Sequence, residues 1–139
     1  MNILFFISPK DKIDYVFEDY TLRQVLEKMD NCGFTSLPIL NDKGEYVATI
    51  TEGDILRFIK NSTNFTIRGA EKISLKSVPI KKNVKSIKIY SNIEDLLEIT
   101  LEQNFVPVVD DMNHFIGIIT RRAVLDYVYK YIKKEVTNY

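Results

Sequence analysis

A chain of 139 residues, 45% of them hydrophobic, is long enough to build a packed core without help from disulfides or metals. Nineteen basic residues balance nineteen acidic ones, which excludes a global pull toward nucleic acid or an anionic membrane and makes any anion site local. The single cysteine, Cys32, has no internal partner, and with only one histidine it cannot complete a zinc site, a composition that fits a reducing cytoplasm.

The apolar run Ile3 to Ile7 has no charged flank and is too short for a signal peptide or a membrane span, so a cytoplasmic location is expected. A short strand is predicted at Ile13 to Phe17. The helix after it places Leu22, Val25, Leu26 and Met29 on one face, opens on the capping box Thr21-Leu22-Arg23-Gln24 and ends at Cys32. A hairpin follows, two apolar strands around the turn Asn41-Asp42-Lys43-Gly44, and Thr51 then opens a helix carrying Ile55, Leu56 and Ile59. The polar stretch Asn61 to Lys72 reads as a joint, and its two Asn-x-Thr triplets at Asn61 and Asn64 as linker polarity.

The same order then returns. A short strand at Ser86 to Ile89 leads into a second capping box, Ser91-Asn92-Ile93-Glu94, and a helix with Ile93, Leu96, Leu97 and Leu101 on its buried face. Pro38 to Thr51 is echoed by Pro107 to Thr120 at a constant offset of 69, with the turn Asp110-Asp111-Met112-Asn113 and a last helix carrying Val124, Leu125, Val128 and Ile132. The helices before the hairpins are 71 apart, so the second copy is expected to have lost two residues in the loop before its proline. The predicted class is α/β (α+β): repeats at 1–62 and 73–139 with a linker at 63–72, each strand-helix-strand-strand-helix, packed about a pseudo-twofold axis with a related cleft on each side.

The paired signature of proline, apolar strand, Asx-rich turn, apolar strand and then Thr, seen at Pro38 to Asp54 and at Pro107 to Ala123, resembles the CBS-domain pair, or Bateman module, over nearly the whole chain. The tract Gly117-Ile118-Ile119-Thr120-Arg121-Arg122-Ala123 is similar to the small stand-alone CBS proteins of Gram-positive bacteria that bind cyclic di-AMP, as are Lys12-Ile13-Asp14-Tyr15-Val16 and Gly33-Phe34-Thr35-Ser36-Leu37-Pro38. The first copy keeps Thr51-Glu52-Gly53-Asp54, nearer the pattern for AMP or ATP. The resemblance implies a regulatory sensor of an adenine nucleotide, most simply cyclic di-AMP, with AMP, ATP or S-adenosylmethionine as alternatives and an empty-cleft dimeric scaffold as the rival class. It also implies a homodimer, and a regulated partner that in the subgroup includes alarmone synthetases. No cofactor, nucleic acid or membrane is expected.

Each candidate ligand residue has a plain structural role beside the functional one. Thr51 and Thr120 stand where strand becomes helix, as N-caps whose exposed amides and helix dipole also suit a phosphate. Arg121 and Arg122 oppose that dipole by about 0.3–1 kcal/mol each, so they read as phosphate clamps, as solvated side chains, or as partners of a carboxylate across an interface. Asp54 is a first-turn residue that the resemblance would use to accept ribose hydroxyls; Ala123 holds its place in the second copy. Phe34, Thr35 and Ser36 correspond to the family's adenine wall, or are core; Lys12, Ile13 and Tyr15 carry the same alternatives. The tail with Tyr127, Tyr131, Tyr139, Lys130, Lys133 and Lys134 reads as a dimer seam or a solvated face. No nucleophile with a base, metal set or Gly-rich phosphate loop is visible, His114 lacks an obvious partner, and catalysis is not expected.

Overall fold

The computed structural model describes residues 1–81 and 83–137. They form two compact units, one from 14–84 and the other from 1–13 together with 85–139, so the first thirteen residues belong with the second repeat rather than with the first.

The unit 14–84 is built on a three-stranded sheet. Strand Val16–Phe17 (β2, numbered after the N-terminal strand β1, Ser8–Pro9) runs parallel to β3 (Ser36–Leu40), which pairs antiparallel with β4 (Tyr46–Thr51). Helix α1 (Leu22–Cys32) opens on the predicted box, in which the Gln24 amide donates to Thr21 Oγ1 at 3.2 Å and the Thr21 amide to Gln24 Oε1 at 2.8 Å. It stops at Gly33, whose φ of 73° is a left-handed cap that a side chain would resist. Leu22, Val25 and Met29 face inward with Val16, Ile39, Ile50 and Ile55 of α2 (Glu52–Lys60).

The joining stretch 63–72 is mostly exposed, but it is tied to the unit at Ala70 and by the residues just after it. Ala70, Leu75 and Val78 lie in the same core, the Leu22 amide donates to Ile73 O at 2.8 Å, and the Leu75 amide to Tyr20 O at 2.9 Å. Within 63–72 Phe65 and Ala70 pack on this core, as does Ile73 just beyond, and these apolar side chains draw the chain back over α1.

The other unit is a four-stranded sheet in the order β1-β7-β6-β5, from Ile87–Lys88 (β5), Phe105–Val109 (β6), Phe115–Thr120 (β7) and the N-terminal strand. Its helices are α3 (Ile93–Thr100) and α4 (Arg121–Thr137). The cap of α3 is Asn92, whose Oδ1 accepts from the Asp95 amide at 2.9 Å, not Ser91 with Glu94 as expected. The two missing residues come from the last turn of α3, not from the loop, and Leu101 is therefore 80% exposed while Leu96 and Thr100 are buried.

The repeat persists in the pairing itself. Pro38 faces Thr49 and Pro107 faces Ile118, and both hairpins shift register at matching places, between Ile39 and Leu40 and between Val108 and Val109. In each turn an Asx oxygen collects two amides, Asn41 from Lys43 and Glu45, Asp110 from Met112 and His114. Gly44 and Asn113 take the positive φ these turns require, at 78° and 66°.

The N-terminal run Ile3–Phe6 is a 3-10 turn with Ile3 and Phe6 buried in the second core. The adjoining β1 pairs with β7 opposite Gly117, where a Cβ would stand 2.3 Å from Ser8 O. Ala48 holds the matching position in the first hairpin. Gly117→Ala is therefore expected to push β1 off the sheet at a cost of about 1–3 kcal/mol. Faster amide exchange confined to residues 3–12 and their β7 partners would show it; unchanged exchange there would refute the account.

Candidate functional site

Each hairpin delivers its chemistry to a helix start, and the two starts are built alike at the backbone. The Glu52 amide donates to Thr35 O at 2.9 Å, and the Arg121 amide to Asn104 O at 2.7 Å, which pins the turn before each hairpin to the helix after it. Thr51 Oγ1 accepts from the Asp54 amide at 3.1 Å, and Thr120 Oγ1 from the Ala123 amide at 3.1 Å, so both threonines cap as expected.

The side chains then diverge. Asp54 is 1% exposed, and its carboxylate is fully engaged within the unit. Oδ2 accepts from the Thr51 amide at 3.0 Å and the Thr51 hydroxyl at 2.9 Å, while Oδ1 accepts from Arg57 Nη2 at 2.6 Å and the Lys81 amide at 3.2 Å. A carboxylate offers about four acceptor positions, so a ribose hydroxyl can reach Asp54 only by displacing one of these donors. Glu52 is exposed, and Phe34, one residue before the Thr35 carbonyl that holds the Glu52 amide, is 54% exposed, so Phe34 is a surface aromatic and not core. Thr35 is exposed and Ser36 half-buried at the start of β3.

In the other unit the two arginines part company. Arg121 folds back on α3: its Nε donates to Thr100 O at 2.7 Å and its Nη1 to Asn104 Oδ1 at 3.0 Å. A cation at the C-terminal carbonyls of α3 is favourably placed toward that helix dipole, which offsets its awkward position at the start of α4. Arg122 is exposed, and among the described residues no carboxylate pairs with it. It lines an open cleft of about 600 Å³ with Asn104, Thr120, Leu125, Asp126 and Tyr129. Asp126 is drawn toward Lys130, 3.1 Å away. Of the two neighbouring guanidiniums, that of Arg121 braces α3 against α4, while that of Arg122 has no carboxylate partner among the described residues. In the tail, Tyr127 stacks edge-on with Phe5 and Phe6, Tyr131 is exposed, and Tyr139 lies outside the described residues.

Lys12 is exposed in a 3-10 turn packed on β7, and Ile13 is half-buried. Tyr15 is half-buried with its ring edge-on to Phe17 at 5.7 Å, in the unit 14–84. Asn104, Arg57 and Gln103 were not singled out by residue type. Asn104 was findable as the counterpart of Thr35 at the repeat offset, whereas Gln103, buried and bonded to both backbone groups of Lys85, gives no signal in sequence.

His114 does have a partner. Its Nδ1 lies 3.3 Å from Asp110 Oδ2 across the turn. Desolvation raises the Asp110 pKa, but the backbone amides of His114 and Met112 and the nearby imidazole outweigh it and hold the carboxyl below its ordinary range. Burial raises the Tyr46 phenol, partly offset by its hydrogen bond with Thr49, 2.8 Å away. Neither group faces a cleft described above. Among the described residues no cluster of His, Cys, Asp and Glu is placed to hold a metal, and no helix is long and apolar enough to cross a membrane.

A model of the CBS domain matches residues 7–61 and again 75–130. The chain belongs to the CBS-domain family. As a CBS pair it superposes on solved structures of the same fold. CbpB in complex with c-di-AMP gives a TM-score of 0.87 at 20% identity, covering 100% of this chain and 91% of that one. Listeria monocytogenes CbpB in complex with c-di-AMP gives 0.82 at 26% identity, covering 94% and 97%. CBSX2 in complex with AMP gives 0.74 at 22% identity, covering 94% and 97%. Curated relatives include an uncharacterised protein of Methanocaldococcus jannaschii, 28% identical over 130 residues, and a homoserine O-acetyltransferase of Methanosphaera stadtmanae, 30% identical over 106. The chain spans 46% of the length of the first and 20% of the second, so this CBS pair corresponds to a part of each.

Proposed function

We propose that this CBS pair is a regulatory module, not an enzyme, that binds an adenine nucleotide, cyclic di-AMP, and presents its occupancy to a partner protein. What carries the reading is the likeness, at 26% identity over nearly the full length of both chains, to Listeria CbpB, whose solved complex holds c-di-AMP. The site geometry supports it. Arg122 is a free cation beside a capped helix start, where amides and dipole already favour an anion, and its planar fork suits a phosphate. Within the unit 14–84, taken by itself, Phe34 and Thr35 at the start of α2 offer a ring face and backbone groups that suit a base, with Ser36 next in line. For Lys12, Ile13 and Tyr15 a ligand role is proposed on the sequence resemblance alone.

AMP and ATP are the competing ligands, and Asp54 would be their ribose acceptor. Its four existing donors weigh against that use, because a cis-diol must replace contacts already made. The regulated partner is a protein outside this chain, with alarmone synthetases the class the subgroup points to. The module acts as a homodimer through the helix faces at Ile55 to Ile59 and Val124 to Ile132, where Leu56, Leu125 and Ile132 are each more than half exposed.

Calorimetric titration tests the ligand. Cyclic di-AMP is expected to bind at least about ten-fold more tightly than AMP, ATP or cyclic di-GMP, the factor expected from one well-made charge-assisted hydrogen bond or one unpaired polar edge. Tighter binding of AMP or ATP would move the site to Asp54, and no binding of any of them would leave a scaffold.

A further inference from the structure

We infer that Arg57 is a selectivity gate in the first repeat: its guanidinium occupies the Asp54 carboxylate and denies that acceptor to a ribose. This deepens the ligand selectivity proposed above and rests on it. Among the donors gathered on Asp54, the Thr51 amide, the Thr51 hydroxyl and the Lys81 amide are placed by the backbone or by a short side chain that is itself part of the cap. Arg57 is different. It reaches back three positions along α2 to set Nη2 2.6 Å from Oδ1, and it does so from a side chain 44% exposed, while that of Asp54 is wholly covered. A charge-assisted bond this short holds the gate shut, yet the group that makes it stands half in water.

The first turn of α2 is shaped for this arrangement. A Cβ at Gly53 would stand 3.5 Å from Arg57 Nη1, so the guanidinium rests over the bare backbone of that residue, in space a longer side chain would contest. The second repeat shows that a helix start of this kind needs neither group. At the offset of 69, Ala123 stands for Asp54 and Asp126 for Arg57, yet Thr120 Oγ1 still accepts from the Ala123 amide at 3.1 Å, the distance found in the Thr51 cap. The acceptor and the cation that covers it occur together in one repeat and are missing together from the other. Taking Arg57 away leaves Oδ1 bonded to the Lys81 amide with an acceptor position open, and a ribose hydroxyl can fill it. The same change leaves the carboxylate without its cation, which repels phosphate, so the gain is largest for a ligand that has none.

Calorimetry on the full chain with adenosine, AMP and ATP tests the gate. Arg57→Ala should bind adenosine roughly ten-fold more tightly than the unaltered chain does, the factor expected from one hydrogen bond to a charged acceptor, with a smaller gain for AMP and the smallest for ATP. Cyclic di-AMP, assigned above to Arg122, should keep its Kd within about two-fold. Two controls separate a gate from a structural ion pair. Dideoxyadenosine, which keeps the base and lacks the diol, should gain nothing, and Arg57→Lys, which returns a cation to the same carboxylate, should bring adenosine back to its weak value. Circular dichroism and the urea midpoint report whether each variant is folded; if Arg57→Ala is not, Arg57→Gln, with a neutral donor in place of the cation, is read instead and should show a smaller gain of the same kind. Unchanged adenosine and AMP affinities in a folded variant, or an equal gain for dideoxyadenosine, overturn the gate. Failure of the unaltered chain to bind cyclic di-AMP overturns the function proposed above instead, and the adenosine comparison still decides the role of Arg57.

Discussion

Arg122→Ala is expected to raise the Kd for cyclic di-AMP roughly ten- to hundred-fold, about 1.5–3 kcal/mol, with no loss of stability. The guanidinium is exposed, has no carboxylate partner among the described residues, and sits where the α4 dipole disfavours a cation, so its removal leaves nothing buried unpaired. Arg121→Ala should behave in the opposite way. It strips hydrogen bonds from Thr100 O and Asn104 Oδ1 and should cost about 2 kcal/mol of stability, with any loss of binding following from the loosened helix start. Calorimetry and urea unfolding on both variants separate the two roles. Binding to Arg122→Ala should also lose most of the salt dependence seen with the unaltered chain. If folded Arg122→Ala binds cyclic di-AMP as tightly as the unaltered chain, the phosphate site is elsewhere.

Asp54→Ala is expected to be among the most destabilising single changes at either helix start, by about 3 kcal/mol. One substitution removes the carboxylate half of the α2 capping box and strands the Thr51 and Lys81 amides, beside the released Arg57 guanidinium. Each orphaned buried donor costs about 1–3 kcal/mol, tempered here because Arg57 is 44% exposed and regains water. The urea midpoint should fall without a change in m-value, and Asp54→Asn should fall less, since its amide oxygen still accepts two donors. A midpoint within error of the unaltered chain would show that the network is dispensable and return Asp54 to the ligand as its principal role.

These two residues show where the sequence was legible. The repeat was, because it is written in the order of residue types: two hairpins 69 residues apart, with Asx turns and threonine caps at matching places, reappear in the structure down to the register shift in each hairpin. Helix existence and the inward face of α1 followed from periodicity, which local backbone geometry enforces, whereas in α2 only Ile55 of the apolar set is buried and Leu56 is exposed.

By itself, the sequence determined the family, the class of fold and the places where a helix start meets a strand end. Only tertiary structure decided which charges at those places are free. Arg121 and Arg122 are the same residue type in adjacent positions, yet successive residues of a helix point about 100° apart, so one reaches the C-terminal carbonyls of α3 and the other reaches solvent. Asp54 likewise looks like an available acceptor until the returning chain brings the Lys81 amide to it from 27 residues away. The docking of residues 1–13 beside β7 was equally invisible, because the apolar run Ile3 to Ile7 has no periodicity that names its partner; what admits it is the missing side chain of Gly117, a contact made by residues more than a hundred positions apart.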